Sequence, residues 1–135
     1  MKLHLSLCAA ALCLPQVVSA GSVIAAKDSS FSAMDIEEAK KIFLGREAEL
    51  HGQMLTVVYQ GEGAERSTFE EKVLRKTGPE LTGYWSRLIF TGKAQAPTEA
   101  GGDAGVKNVV SSRPGGIGYV SDAAVDGSVK VLFKY

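Results

Sequence analysis

Cysteine is nearly missing from this chain and confined to one end. The two present, Cys8 and Cys13, fall in the first fourteen residues. The rest of the chain therefore has no thiol for an internal disulfide or a thiolate metal site. Histidine is as scarce: beyond His4 there is His51 alone. One imidazole without cysteine does not build an ordinary zinc site, and no Gly-x-Ser-x-Gly segment offers a nucleophile beside it. Net charge is lacking too. Fifteen basic side chains balance fifteen acidic ones, which removes the electrostatic footprint of a nucleic-acid or anionic-membrane binder. No apolar run reaches the roughly 20 residues of a membrane span.

The remaining chemistry is equally sparse. Gly61-Glu62-Gly63 has Arg66 where a dinucleotide loop needs its third glycine. The paired acids Glu37-Glu38 and Glu70-Glu71 have lysines nearby and read as solvated helix faces. Tyr84-Trp85 reads as core rather than as a platform for a ligand. The residues argue for a protein that is not an enzyme and needs no cofactor or metal.

What is present begins with an address. Lys2 precedes an apolar run from Leu3 to Leu14, followed by Pro15-Gln16 and Val17-Val18-Ser19-Ala20. That order, with small residues before the break, predicts a signal peptide over 1–20, cleaved after Ala20. Leu7 and Leu12, before the two cysteines, are too large for a lipoprotein acceptor site. Without Lys2 the remaining chain carries a formal charge of −1. Residues 21–135 are then a single exported domain, enough for one hydrophobic core.

Along that domain, strand and helix signals alternate. Ser22–Ala26 predicts a buried first strand and Lys27–Ser30 a turn. Ser32 caps a helix in which Ile36, Ala39 and Phe43 form one apolar stripe, ending at Gly45. Arg46–Gly52 reads as a polar connection and Met54–Tyr59 as a strong strand. After the loop Gln60–Glu65, a helix is expected from Arg66 to Thr77, stopped by Gly78-Pro79. Glu80–Phe90 has the cleanest helical period, through Leu81, Tyr84, Trp85, Leu88 and Ile89. Lys93–Gly105 reads as a surface loop, Val106–Val110 as a short helix, and Val129–Phe133 as a last strand. Between them Arg113-Pro114-Gly115-Gly116-Ile117-Gly118-Tyr119-Val120 reads as a helix stop, a glycine turn and a buried strand. The fold class is α/β: a small mixed, mostly parallel sheet flanked by helices.

Four segments in this order resemble bacterial phosphate-type substrate-binding proteins. They are Phe31-Ser32 with Ile42-Phe43-Leu44-Gly45, Arg66-x-x-Phe69 with Val73-Leu74, Tyr84-Trp85 with Phe90-x-Gly92 and Pro97, and Pro114–Val120. The resemblance covers nearly all of 21–135 and is nearest to the short, single-lobe members of that periplasmic type. It implies an exported solute-binding protein with phosphate or a related oxyanion as ligand. An ABC permease or another envelope protein would be its partner, and a homodimer could rebuild a two-sided cleft. The alternative is an envelope interaction or sensory module that keeps the fold without the solute.

The resemblance also marks a departure. The family's Arg-x-x-x-Ser-Gly-Thr phosphate loop falls here on Tyr59 and Gly63-Ala64-Glu65, with neither the arginine nor the hydroxyls. The candidate ligand groups are then Arg66, Ser67 and Thr68 in the first turn of the following helix, joined by Ser29 and Ser30. A competing assignment has Glu62 or Glu65 capping that helix. His51 reads as a solvated loop residue. Intact-mass measurement of the protein exported from a bacterial host should find a chain that begins at Gly21; retention of residues 1–20 would remove the leader assignment.

Overall fold

A computed structural model describes residues 20–135. The expected leader lies outside the described residues except for Ala20. Among the described residues no helix is long and apolar enough to cross a membrane.

Five strands form the central sheet: β1 (Gly21–Ala26), β4 (Thr56–Gln60), β5 (Thr98–Ala100), β6 (Gly116–Ser121) and β7 (Val129–Lys134). Their order is β5-β4-β6-β1-β7. β4 pairs in parallel with both β5 and β6, and β1 runs antiparallel to β6 and β7. Four strands thus point one way and β1 against them, the mixed, mostly parallel sheet expected. A two-stranded hairpin of β2 (Glu49–Leu50) and β3 (Gln53–Met54) stands apart.

Helices cover both faces. On one side lie α1 (Ile36–Phe43), α2 (Ala64–Phe69) with the π-helical turn Glu70–Leu74 that continues it, and α3 (Gly78–Phe90). They pack Ala39, Ile42, Phe43, Phe69, Val73 and Leu81 against Val23, Ala25, Tyr59, Ile117 and Tyr119. The other side is covered by α4 (Gly102–Ser112), which brings Val106 and Val110 onto Ile24, Val58 and Val120. The period-2 alternation along each strand divides these residues between the two faces.

Strand β6 shows why its glycines are there. Ile117 and Tyr119 face the three-helix side, whereas Gly116 and Gly118 lie under α4. A Cβ on Gly116 would come within 2.8 Å of the Val110 carbonyl oxygen, and one on Gly118 within 2.6 Å of Val106 Cγ1. Gly115 meets a third backbone: a Cβ there would sit 1.8 Å from the Met54 carbonyl oxygen. Only bare backbone fits at this corner.

Aromatic rings fill the three-helix side, and the tyrosine hydroxyls there find partners locally. Phe69 and Tyr119 stack with centroids 3.9 Å apart, and Phe43 meets Phe69 edge-on at 4.8 Å. The Tyr59 hydroxyl donates to the Phe43 carbonyl, and Tyr84 donates to Leu44 at 2.6 Å. Trp85 is half-buried over Gly45, whose φ of 71° closes α1. Its ring packs against the core cluster and is also open to the surface on the α3 side.

Several sequence expectations move. The cap of α1 is Asp35, which accepts from the Glu38 N–H at 2.9 Å, and not Ser32. The connection Arg46–Gly52 holds strand β2 and the hairpin turn, with His51 at φ 50°. Met54 belongs to that hairpin, so the strand expected from it starts at Thr56. The helix expected from Arg66 starts at Ala64 and ends in a left-handed Arg75. Gly78-Pro79 does not stop it but opens α3, because proline suits a first turn that needs no N–H partner. Lys93–Gly105 contains β5 and the start of α4, hidden by their small residues.

Replacing Gly116 with Ala pushes a methyl group into the α4 backbone, and the cost should be about 1–3 kcal/mol. A urea titration should show a lower midpoint with an unchanged slope; an unchanged midpoint would refute the close-approach account.

Candidate functional site

The parallel strands β4 and β5 end side by side, and Gly61–Gly63 leads from β4 into α2. A cleft of about 730 Å³ opens there, between α2, its π-helical continuation, α3 and the β5 edge. Gly63 lines it as the N-cap of α2, with no side-chain hydrogen bond closing the first turn. The carboxylate cap considered from sequence is therefore not made. Glu62 stays exposed, and Glu65 instead accepts from the Tyr135 hydroxyl at 2.7 Å. Burial, reinforced by that carboxylate, raises the Tyr135 pKa and keeps its phenol protonated.

Arg66 projects from the same turn and is held by three partners. Its Nε donates to Glu70 at 2.8 Å, and one terminal nitrogen donates to Glu99 at 2.8 Å and to the Gln60 carbonyl at 3.3 Å. The guanidinium also lies 5.6 Å from the Tyr59 ring centroid. Partial burial works against its charge, but the two carboxylates outweigh that and hold its pKa above the ordinary range. The partners differ in strength. The Glu70 side chain is 12% exposed, the Glu99 side chain 61%, so water screens the second pair far more.

The other two first-turn candidates divide. Ser67 is exposed and lines the cleft. Thr68 donates its hydroxyl back to the Ala64 carbonyl at 2.9 Å, so that proton is spent inside the helix. Glu62, Glu70, Glu71 and Glu99 line the cleft against Arg66, and among the described lining residues Arg66 is the one cation. The cleft is net acidic.

Ser29 and Ser30 do not join this group. They follow β1 at the start of β6, whereas Arg66 lies at the end of β4 near the finish of β6, roughly 17 Å along the strand. Ser29 accepts from the Phe31 N–H at 3.0 Å, an ordinary serine turn. Both serines border a separate hollow beside the carbonyl end of α4, where the helix dipole disfavours an anion. Because β1 runs against its neighbours, its far end is carried away from the loop that follows β4.

A connected group that sequence reasoning missed holds the cleft end of the sheet. Asp103, in the first turn of α4, accepts from the Ser121 N–H at 3.0 Å, the Ser121 hydroxyl at 2.6 Å and the Gln60 side-chain amide at 2.6 Å. Gln60 is bonded in turn to Tyr119, whose hydroxyl accepts from the Gln60 N–H at 3.1 Å. Glu99 and Asp103 both lie in the stretch read as a loop. The one available signal was Gly101-Gly102-Asp103, an acid placed just after glycines at a helix start.

Partial burial opposes ionisation of Asp103, but the bonds from Ser121 and Gln60 prevail and lower its pKa. A lowered folded-state pKa adds stability above the unfolded value of about 3.9, and that stability is lost as pH falls through the folded value. Asp103→Asn should therefore cost about 1–2 kcal/mol near pH 6, and the gap should shrink below about pH 4. Thermal melts of both proteins across pH 3–7 check this; a gap that does not change with pH would refute it.

Three solved structures share this fold at probability 1.00, each matched over 84% of this chain. A phosphate ABC transporter substrate-binding protein from Clostridium perfringens with bound phosphate superposes with a TM-score of 0.67 at 20% identity over 44% of its length. An ABC-type phosphate transport receptor from Vibrio cholerae gives 0.68 at 16% over 46%. PstS from Borrelia burgdorferi gives 0.64 at 13% over 46%. No protein-family model matches the sequence, and neither does any curated protein. The chain thus has the fold of a single lobe of these binding proteins and spans less than half the length of each.

Proposed function

We propose that this chain is an exported, periplasmic solute-binding-type protein of the phosphate-receptor build, which takes phosphate or a related oxyanion weakly at the first turn of α2. The observation that carries this reading is that turn. Its N–H groups have no side-chain cap, it stands at the end of a parallel strand, and Arg66 rises beside it. Uncapped N–H groups and the positive end of a helix dipole suit an anion. The fold likeness to a relative with bound phosphate supports the same ligand class.

The surrounding charges make the binding weak. An arriving oxyanion takes Arg66 from Glu99, an exposed pair worth about 0–1 kcal/mol, while Glu70 keeps its hold on Nε. It must also approach Glu62 and Glu70, which repel it. Ser67 adds one hydroxyl donor. The far wall of the site is supplied from outside residues 21–135, by an ABC permease, another envelope protein or a second copy.

Calorimetric titration with phosphate and sulfate tests this. Arg66→Ala should weaken binding by roughly 1–3 kcal/mol, the loss of a charge-assisted contact. Glu99→Gln should tighten it by about 0.5–1 kcal/mol by releasing the guanidinium. No heat and no thermal shift at millimolar ligand would remove the oxyanion reading and leave the interaction module in its place.

A further inference from the structure

The first residue expected after the leader is packed against a carboxylate that has no cation beside it. Gly21 opens β1 in register with Ser121 of β6, and its N–H donates to the Tyr135 carbonyl at 3.1 Å. A Cβ on Gly21 would lie 2.4 Å from the Tyr135 hydroxyl oxygen and 2.5 Å from Glu65 Oε1. The N and Cβ of one residue are about 2.5 Å apart, so the Gly21 nitrogen is at most about 5 Å from that carboxylate. Glu65 is partly buried and accepts from the Tyr135 phenol at 2.7 Å. Among the described residues it forms an ion pair with no lysine or arginine. A carboxylate held this way bears a desolvation cost that no opposite charge offsets.

We propose that removal of the leader supplies the missing charge: the α-ammonium of Gly21 pairs with Glu65 and locks the start of β1 to the first turn of α2. Hydrolysis of the Ala20–Gly21 bond adds water, leaves a carboxylate on Ala20 and turns an amide N–H into an ammonium with three donors. One donor keeps the Tyr135 carbonyl, and the others turn to Glu65. In the uncut chain the same nitrogen is a neutral amide with one donor, and the Ala20 N–H shares that carbonyl at 2.6 Å. Glycine suits the position, because a side chain at 21 would enter the space between Tyr135 and Glu65. Three other charged groups stand at this end of β1. Asp122 accepts from the Ser22 hydroxyl at 3.0 Å, Asp103 is bonded to Ser121, and Lys134 lies in register with Ser22. The lock rests on the leader assignment, which the intact mass tests separately, and does not depend on oxyanion binding.

Two chains test this, one beginning at Gly21 and one keeping Ser19-Ala20 ahead of it, which carries the ammonium two residues away. Thermal melts near pH 6 should place the midpoint of the first about 3 °C or more above that of the second. Glu65→Gln in both chains should remove the difference, whereas a general disturbance by two added residues would survive it. The Gly21 amine, titrated by NMR in the unsubstituted chain, should have a pKa above the ordinary value of about 8. A raised folded-state value gives stability that is present below the unfolded pKa, so the gap between the chains should close as pH rises through the folded one. Equal midpoints, a gap that survives Glu65→Gln, or an amine that titrates at or below its ordinary value overturns the proposal.

Discussion

The seating of α4 on β6 is the constraint on which the rest of the structure depends. The helix lies so close to the strand that its backbone at Val110 leaves no room for a side chain on Gly116, and its Val106 and Val110 side chains leave none on Gly118. Among the described α-helices α4 is the cover of its face, so a shift of that contact uncovers Ile24, Val58 and Val120 together. The same contact aims the first turn of α4 at the cleft end of the sheet. There Asp103 ties Ser121 to Gln60, and Gln60 is the last residue of β4 before the loop into α2. Packing on one face therefore positions the chemistry at the sheet's edge.

At that edge, charge compensation rather than shape sets the character of the cleft. Arg66 is held by a shielded carboxylate on its own helix and an exposed one on the neighbouring strand. The first pair fixes where the guanidinium sits, and the second is weak enough to exchange. The open first turn of α2 favours an anion, and the surrounding glutamates oppose one. The exchangeable partner in that balance is Glu99, a residue with no counterpart in the motifs read from sequence.

Much of the architecture was legible because it rests on local signals. The strands at 21–26 and 116–121 are buried and largely apolar, 129–134 sets lysines among apolar residues, and the stripe Ile36-Ala39-Phe43 marks one face of a helix. The elements misread are those whose residues are small or whose signal has two meanings. Gly78-Pro79 serves a helix start as well as a stop. Thr98–Ala100 becomes a strand only because β4 offers it a parallel partner. The hairpin at Glu49–Met54 is too short for any period to register. At the site, the first-turn position of Arg66 and Ser67 was readable from the spacing to Phe69. The separation of Ser29 and Ser30 was not, because it follows from the direction of β1 in the sheet.

By itself the sequence determined the fold class, the glycine corner from Pro114 to Val120 and the absence of a hydroxyl from Gly61 to Glu65, since composition, turn chemistry and spacing are properties of neighbouring residues. Only the tertiary structure decided which charges meet. Glu99 lies 33 positions from Arg66 and Asp103 lies 43 from Gln60. Such pairs exist because parallel strands bring distant segments to one edge. Coulomb and hydrogen-bond energies depend on distance in space, which separation along the chain does not report.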